Sequence, residues 1–275
     1  MKYPIYLSTL WVALGLAPDN LNAAAPPITE GLVAQWDFDE TTGLVARDSA
    51  GSLDGDLIGF DDDSSHWVSG RVGGAIAFNG SNHIEVPDDP SIGEDLQSSM
   101  TIMAWFKSNL PLDAGGAGNR MLEKGNSYFF LQGVGNGGMN FLVKDGGANR
   151  TATTGASLEA DRWYHITGVV DGNQARVYLD GQEGNAINLN GPVDDAKMTL
   201  YIGSDDSGNH FNGLMDQLLI FNRVLTDEEI QTIIAGGQPV GPPTISSQPN
   251  EGNFFEGGTL RLSVVGDGAP PLRYQ

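Results

Sequence analysis

The feature that most constrains this chain is a period of two. Across residues 31–221 apolar and polar side chains alternate in short runs, and turn-forming pairs separate the runs. Leu32, Ala34, Trp36 and Phe38 share one face of the first run, with Gln35, Asp37 and Asp39 on the other. Asn79-Gly80 joins a run ending at Phe78 to one carrying Ile84 and Val86, and reads as a hairpin turn. Asp171-Gly172-Asn173 joins 164–170 to 175–179, and Asp180-Gly181 turns the chain again. Leu200 and Ile202 mark another strand, and 214–221 another. Glycine is abundant at 38 residues and helical patterns are scarce, so the pattern predicts an all-β fold.

One helix has a clear signature. Thr226-Asp227-Glu228-Glu229 forms a capping box, Ile230, Ile233 and Ile234 make an apolar stripe, and Gly236-Gly237 ends it. Residues 237–243 then read as a Pro/Gly linker. At the other end, Lys2, an apolar stretch over 5–17 and the small residues Ala23, Ala24 and Ala25 stand in the order of a secretory signal peptide, placed at 1–24. That apolar stretch is too short to span a bilayer, and no other segment is apolar enough. The mature chain is expected to be secreted or held at the cell surface, with no membrane span.

Charge and cysteine content exclude several functions. With 14 Lys and Arg against 35 Asp and Glu, the formal charge of the 275 residues is −21, which repels phosphate backbones and argues against nucleic-acid binding. The chain has no cysteine, so disulfides, thiolate metal sites and cysteine nucleophiles are impossible.

Eight segments in order resemble the laminin-G-like jelly-roll domains of the concanavalin A-like lectin/glucanase superfamily. They are Gly31-Leu-Val-Ala-Gln-Trp36-Asp-Phe38-Asp39-Glu40; Arg47-Asp48-Ser49-Ala50-Gly51; Gly73 to Gly80; Ile84 to Pro87; Met100 to Lys107; Asp161 to Ile166 with Val177 to Gly181; Gly213-Leu-Met-Asp216-Gln217; and Asn222 to Thr226 with Glu229. The resemblance spans about residues 31–235 and implies a two-sheet antiparallel jelly-roll sandwich over 30–236, closed by the short C-terminal helix. Beyond the linker, 244–275 resemble the first strands of bacterial immunoglobulin-like repeats. This piece is too short to close a core, so the chain is expected to be a fragment of a longer exported protein.

The fold hosts lectins, adhesion modules and hydrolases alike, so function must come from sites. Asp216 lies in a strand read with Leu214, Leu218 and Ile220 on its face, and a carboxylate among apolar residues needs a partner. Calcium would serve, and so would arginine or backbone donors. Members of the family often hold a structural Ca²⁺ near these loops, which by resemblance points to Asp39, Asp48, Asn79 and Asp216. Gln217 stands where the family usually has Glu, removing one carboxylate. The run Asp61-Asp62-Asp63 reads as a solvated surface.

Glucanases of the same fold carry E-x-D-x-x-E on one strand, and no such pattern occurs here. The histidines His66, His83, His165 and His210 are scattered and read as structural or surface residues. Trp36, Trp105 and Trp163 match core positions of the family, whereas Trp67 lies in a loop and is a candidate for stacking on sugar. Tyr128 with Phe129, and His210 with Phe211, are candidates for the same ligand surface. The expectation is a non-catalytic extracellular binding or adhesion module, carbohydrate its likeliest ligand class and an extracellular protein ligand the other. The alternatives are a structural spacer, or an accessory domain of a polysaccharide-active enzyme whose catalytic domain lies outside this chain.

Overall fold

The computed structural model describes residues 28–109, 120–125, 127–132, 138–155, 158–205 and 207–236, with two short strands at 244–247 and 265–267. The expected signal peptide and linker lie outside the described residues, as does most of the segment expected to be immunoglobulin-like. Its described part is one antiparallel pair, Thr244–Ser247 with Val265–Asp267.

Two eight-stranded sheets make the sandwich. The strands in chain order are β1 Leu32–Trp36, β2 Val45–Ala46, β3 Gly55–Ile58, β4 Trp67–Ser69, β5 Gly74–Asn79, β6 His83–Val86, β7 Met100–Ser108 and β8 Arg120–Lys124. They continue as β9 Tyr128–Gln132, β10 Met139–Asp145, β11 Ala148–Thr153, β12 Trp163–Val170, β13 Gln174–Leu179, β14 Gln182–Asn188, β15 Leu200–Ile202 and β16 Asn212–Phe221. The first sheet runs β14-β13-β12-β7-β16-β5-β4, with β1 also on β16, and the second runs β11-β10-β9-β8-β15-β6-β3-β2. All pairings are antiparallel, as alternating sequences joined by short turns require.

The expected hairpin at Asp171-Gly172-Asn173 is present, with Ile166 opposite Leu179 and Val170 opposite Ala175. Asn79-Gly80 behaves differently. β5 belongs to the first sheet and β6 to the second, so this turn carries the chain between layers and closes no hairpin. Period-two alternation shows that a strand has a buried face, but not which sheet it joins.

Between the layers lies one large core, including Trp36, Phe38, Phe78, Ile84, Phe106, Tyr128, Phe130, Phe141, Ile202, Phe211 and Ile220, all nearly solvent-free. A smaller cluster covers the outer face of the first sheet. There Met103, Val169, Tyr178, Leu219 and Phe221 receive Ile230 and Ile233 of α1, Asp227–Ile234.

Two bulges reset the alternation. In β1 the register shifts between Leu32 and Ala34, so Ala34 and Trp36 face the main core while Leu32 packs on the outer cluster. In β16 it shifts between Asp216 and Leu219, with Gln217 at φ 51°. An extra residue moves every following side chain to the other face. Asp216, opposite Trp105, therefore does not share a face with Leu218 and Ile220, which point into the main core.

Candidate functional site

β16 positions the first group. Its 212–215 half pairs with β5 and its 218–221 half with β1, so both strands share one flank. The gap between them falls at the bulge of Asp216 and Gln217. Residues 37–40, leaving β1, and the turn 70–74, entering β5, meet there.

Asp216 is fully buried. Its Oδ2 accepts the backbone N–H groups of Arg71 at 2.7 Å and Val72 at 2.8 Å. Its Oδ1 is enclosed and has no hydrogen-bond partner. Asp39 accepts the N–H of Gly74 at 2.5 Å, so one turn touches both carboxylates. That turn needs its glycines: a Cβ on Gly73, at φ 68°, would run into the Asp39 carboxylate, and one on Gly70 into the carbonyl of Gly74. Burial pushes the Asp216 carboxyl up to about 7, the two backbone donors pull it down, and nearby Asp39 and Asp37 push it up again. Asp37 is also raised by burial, against hydrogen bonds from Ser49 and Gln35.

Arg71 roofs the group, its guanidinium 4.9 Å from the Trp105 ring centre. Trp105 packs edge-on against His165 at 5.0 Å between centroids. Burial holds the His165 imidazole down at about 3, so it stays neutral. His165 is structural, as expected, although on the outer face of its sheet.

The other two expected metal ligands serve turns. Asp48 is buried and accepts N–H groups from Gln35, Ala50 and Leu53, all within 3.0 Å. Asn79 Oδ1 accepts the backbone N–H and the hydroxyl of Ser81, and its residue pairs with Asn212, four residues from Asp216 along β16. At about 3.4 Å per residue that is roughly 13 Å away. Among the described residues, no three His, Asp or Glu side chains gather closely enough to form a metal site by themselves. Of the four expected ligands, only Asp39 and Asp216 come together.

The expected ligand-binding aromatics divide by burial. Tyr128 is 1% exposed, with its hydroxyl donating to the Ile92 carbonyl, and Phe211 is 1% exposed against Phe78. Both are core residues, which corrects their expected place on a ligand surface: Tyr128 points inward from β9, and Phe211, just ahead of β16, packs into the same core. Phe129 points outward but is covered, with Arg120 4.3 Å above its ring.

Trp67 and His210 keep part of their surface in solvent. Trp67 Nε1 donates to the Gly43 carbonyl at 3.0 Å, and the ring lies 5.0 Å from His66, whose Nε2 faces the same carbonyl at 3.1 Å. Ring contacts continue inward from His66 to Phe60, Phe78 and Phe211. His210 follows at the surface, 5.4 Å from His83, which lies 5.8 Å from Tyr201. Sequence reasoning missed His83 and Tyr201, because only the pairing of β15 with β6 sets them side by side.

No helix among the described residues is long and apolar enough to cross a membrane. No curated protein matches the chain. Among solved structures, domain 4 of an extracellular GH43 arabinanase from Geobacillus stearothermophilus, in complex with arabinotriose, superposes with a TM-score of 0.59 at 22% identity, covering 74% of this chain and 98% of that one. The binding domain of Paraclostridial Mosquitocidal Protein 1 gives 0.58 at 19% identity, covering 76% and 52%. The receptor-binding domain of botulinum neurotoxin mosaic serotype C/D gives 0.57 at 15% identity, covering 76% and 51%. At such identities these structures establish the shared jelly-roll architecture. The family model described as the Concanavalin A-like lectin/glucanases superfamily matches residues 78–231, more than half of the chain, and the chain belongs to that family.

Proposed function

We propose that the chain is an exported, non-catalytic carbohydrate-binding module whose sugar contact is built on Trp67. The observation that carries this reading is the fixed, half-buried indole on the edge strand β4, held by its N–H bond to Gly43 and by the His66 ring. Sugar rings stack their C–H faces on aromatic rings, and a ring already immobilised loses little entropy when it binds. Tyr201 and His210, both partly exposed, offer further polar aromatic surface.

Two of the similar structures are described as binding or receptor-binding domains, and the arabinanase domain is described in complex with arabinotriose, which supports a binding role and carbohydrate as the ligand class. The arabinanase is described as extracellular, in line with the signal-peptide features of residues 1–24. The non-catalytic reading is supported by three of the buried acids. Asp48, Asp145 and Asp205 are each committed to backbone N–H groups or an arginine, unlike the freely opposed pair that glycoside hydrolysis needs.

A structural Ca²⁺ belongs to the same proposal, reduced to Asp39 and Asp216 as its side-chain ligands. The unpartnered Asp216 Oδ1 fits it, since hard cations take carboxylate and carbonyl oxygens. Bound there, the ion would hold the 70–74 turn against β16.

Affinity electrophoresis through gels containing arabinan, xylan, β-glucan or chitin tests the carbohydrate reading, with calorimetry on oligosaccharides of whichever polymer retards the chain. Trp67→Ala is expected to weaken binding at least about tenfold, a step of roughly 1.4 kcal/mol. Trp67→Phe, which keeps a stacking ring, is expected to retain most of it. Failure of the folded chain to bind any of the polymers, or full binding by Trp67→Ala, would overturn the proposal.

A further inference from the structure

On the outer face of the second sheet two imidazoles meet. His83 opens β6, and His210 lies just before β16. Their ring centroids are 5.4 Å apart and their planes tilt by 40°. The Nδ1 atom of each ring is enclosed and has no hydrogen-bond partner. On its far side, His83 Nε2 stands 3.1 Å from Glu85 Oε1. The backbone fixes both residues: Phe211 N–H donates to the Gly203 carbonyl at 2.8 Å and Gly80 N–H to the Phe211 carbonyl at 3.1 Å, which clamps the segment carrying His210 between the end of β15 and the 79–82 turn.

We infer that His83 and His210 chelate one borderline divalent cation, of the class Zn²⁺, Ni²⁺ or Cu²⁺, through their Nδ1 atoms. Two imidazoles bound to one tetrahedral ion, with metal–nitrogen bonds of about 2.0–2.1 Å, hold their centroids roughly 5 Å apart, which is the spacing this pair already has. Two enclosed nitrogens without donors are the kind of unsatisfied buried polar group that an ion accounts for. Glu85 completes the arrangement. By accepting the Nε2–H of His83 it fixes the tautomer that leaves the Nδ1 lone pair free, the role carboxylates play behind histidine ligands in metal sites.

Imidazole nitrogen favours these ions over Ca²⁺ and Mg²⁺, so the site is chemically distinct from the Asp39 and Asp216 pair. It does not use Trp67, on which the sugar contact is built, and shares only His210 with the further aromatic surface, so its failure would leave the Trp67 proposal standing. The charge of −21 raises the local concentration of any cation. The ion would tie the 207–211 segment to the start of β6.

Calorimetric and thermal-melting titrations of the full chain with Zn²⁺ or Ni²⁺ alone test the inference. Saturable one-to-one binding and a raised melting temperature are expected, undiminished by excess Ca²⁺. His83→Gln and His210→Gln are each expected to weaken binding at least tenfold, whereas His66→Gln leaves it unchanged. Glu85→Gln is expected to keep the ion but weaken it by about 10–100-fold. With Cu²⁺, electron paramagnetic resonance should show coupling to two imidazole nitrogens, lost in either histidine variant. Circular dichroism checks that each variant is folded. No saturable binding of any of the three ions, or binding that survives in a folded double-histidine variant, would overturn the inference.

Discussion

Asp216 concentrates the residue-scale physics of this protein. Its carboxyl sits at about 7 because burial disfavours the charged form more than the N–H groups of Val72 and Arg71 favour it. An aspartate in the unfolded chain titrates near 3.9. Between those values the folded state holds a proton that the unfolded state has released. Stability from this group is therefore complete below about pH 4 and is lost as pH rises through about 7. A cation at Oδ1 would replace the missing proton. Scanning calorimetry should show a falling melting temperature from pH 5 to pH 8, restored at pH 8 by millimolar Ca²⁺, with little calcium effect at pH 5. In Asp216→Asn both the slope and the calcium response should shrink sharply. A calcium response of native size in that variant would remove Asp216 from the site. The need for a partner was legible in the sequence. The partners themselves were not, because Arg71 and Val72 lie some 145 residues away in the chain.

At the scale of elements, α1 shows local and tertiary forces agreeing. The Thr226 hydroxyl accepts the Glu229 N–H at 3.2 Å, and the Glu229 carboxylate accepts the Thr226 N–H at 2.8 Å. The same carboxylate takes both terminal nitrogens of Arg223, at 2.7 and 2.8 Å, and Arg223 Nε donates to the Glu30 carbonyl. Hydrogen bonding to Arg223 holds the Glu229 carboxyl below its ordinary value, so its contribution persists at neutral pH and fades as pH falls through the carboxylate range. Thr226→Ala should cost about 1 kcal/mol, a drop of roughly 2–4 °C in melting temperature for a domain of this size. An unchanged melting temperature would show that packing of Ile230 and Ile233 on the sheet holds the helix without its cap.

For the whole molecule, charge dominates. Thirty-five acids against 14 bases repel one another across the surface. Raising ionic strength from about 0.01 to about 0.15 M shortens the screening length from ~30 to ~8 Å, so the melting temperature should rise over that range in sodium chloride. A fall would mean that ion pairs such as Arg223 with Glu229 outweigh the net repulsion.

By itself the sequence determined the all-β class, the 171–173 hairpin and the capped helix, because each is written in local periodicity and turn chemistry; the jelly roll came from the resemblance of eight segments to a known family. Only the tertiary structure decided which sheet β6 joins, how a bulge at Gln217 turns Asp216 away from the core, that Tyr128 and Phe211 are enclosed, and that His83 meets His210. The reason is physical. Alternation records that a strand has two faces, but which layer covers a face, and which distant side chain stands opposite, depends on register between strands far apart in the chain.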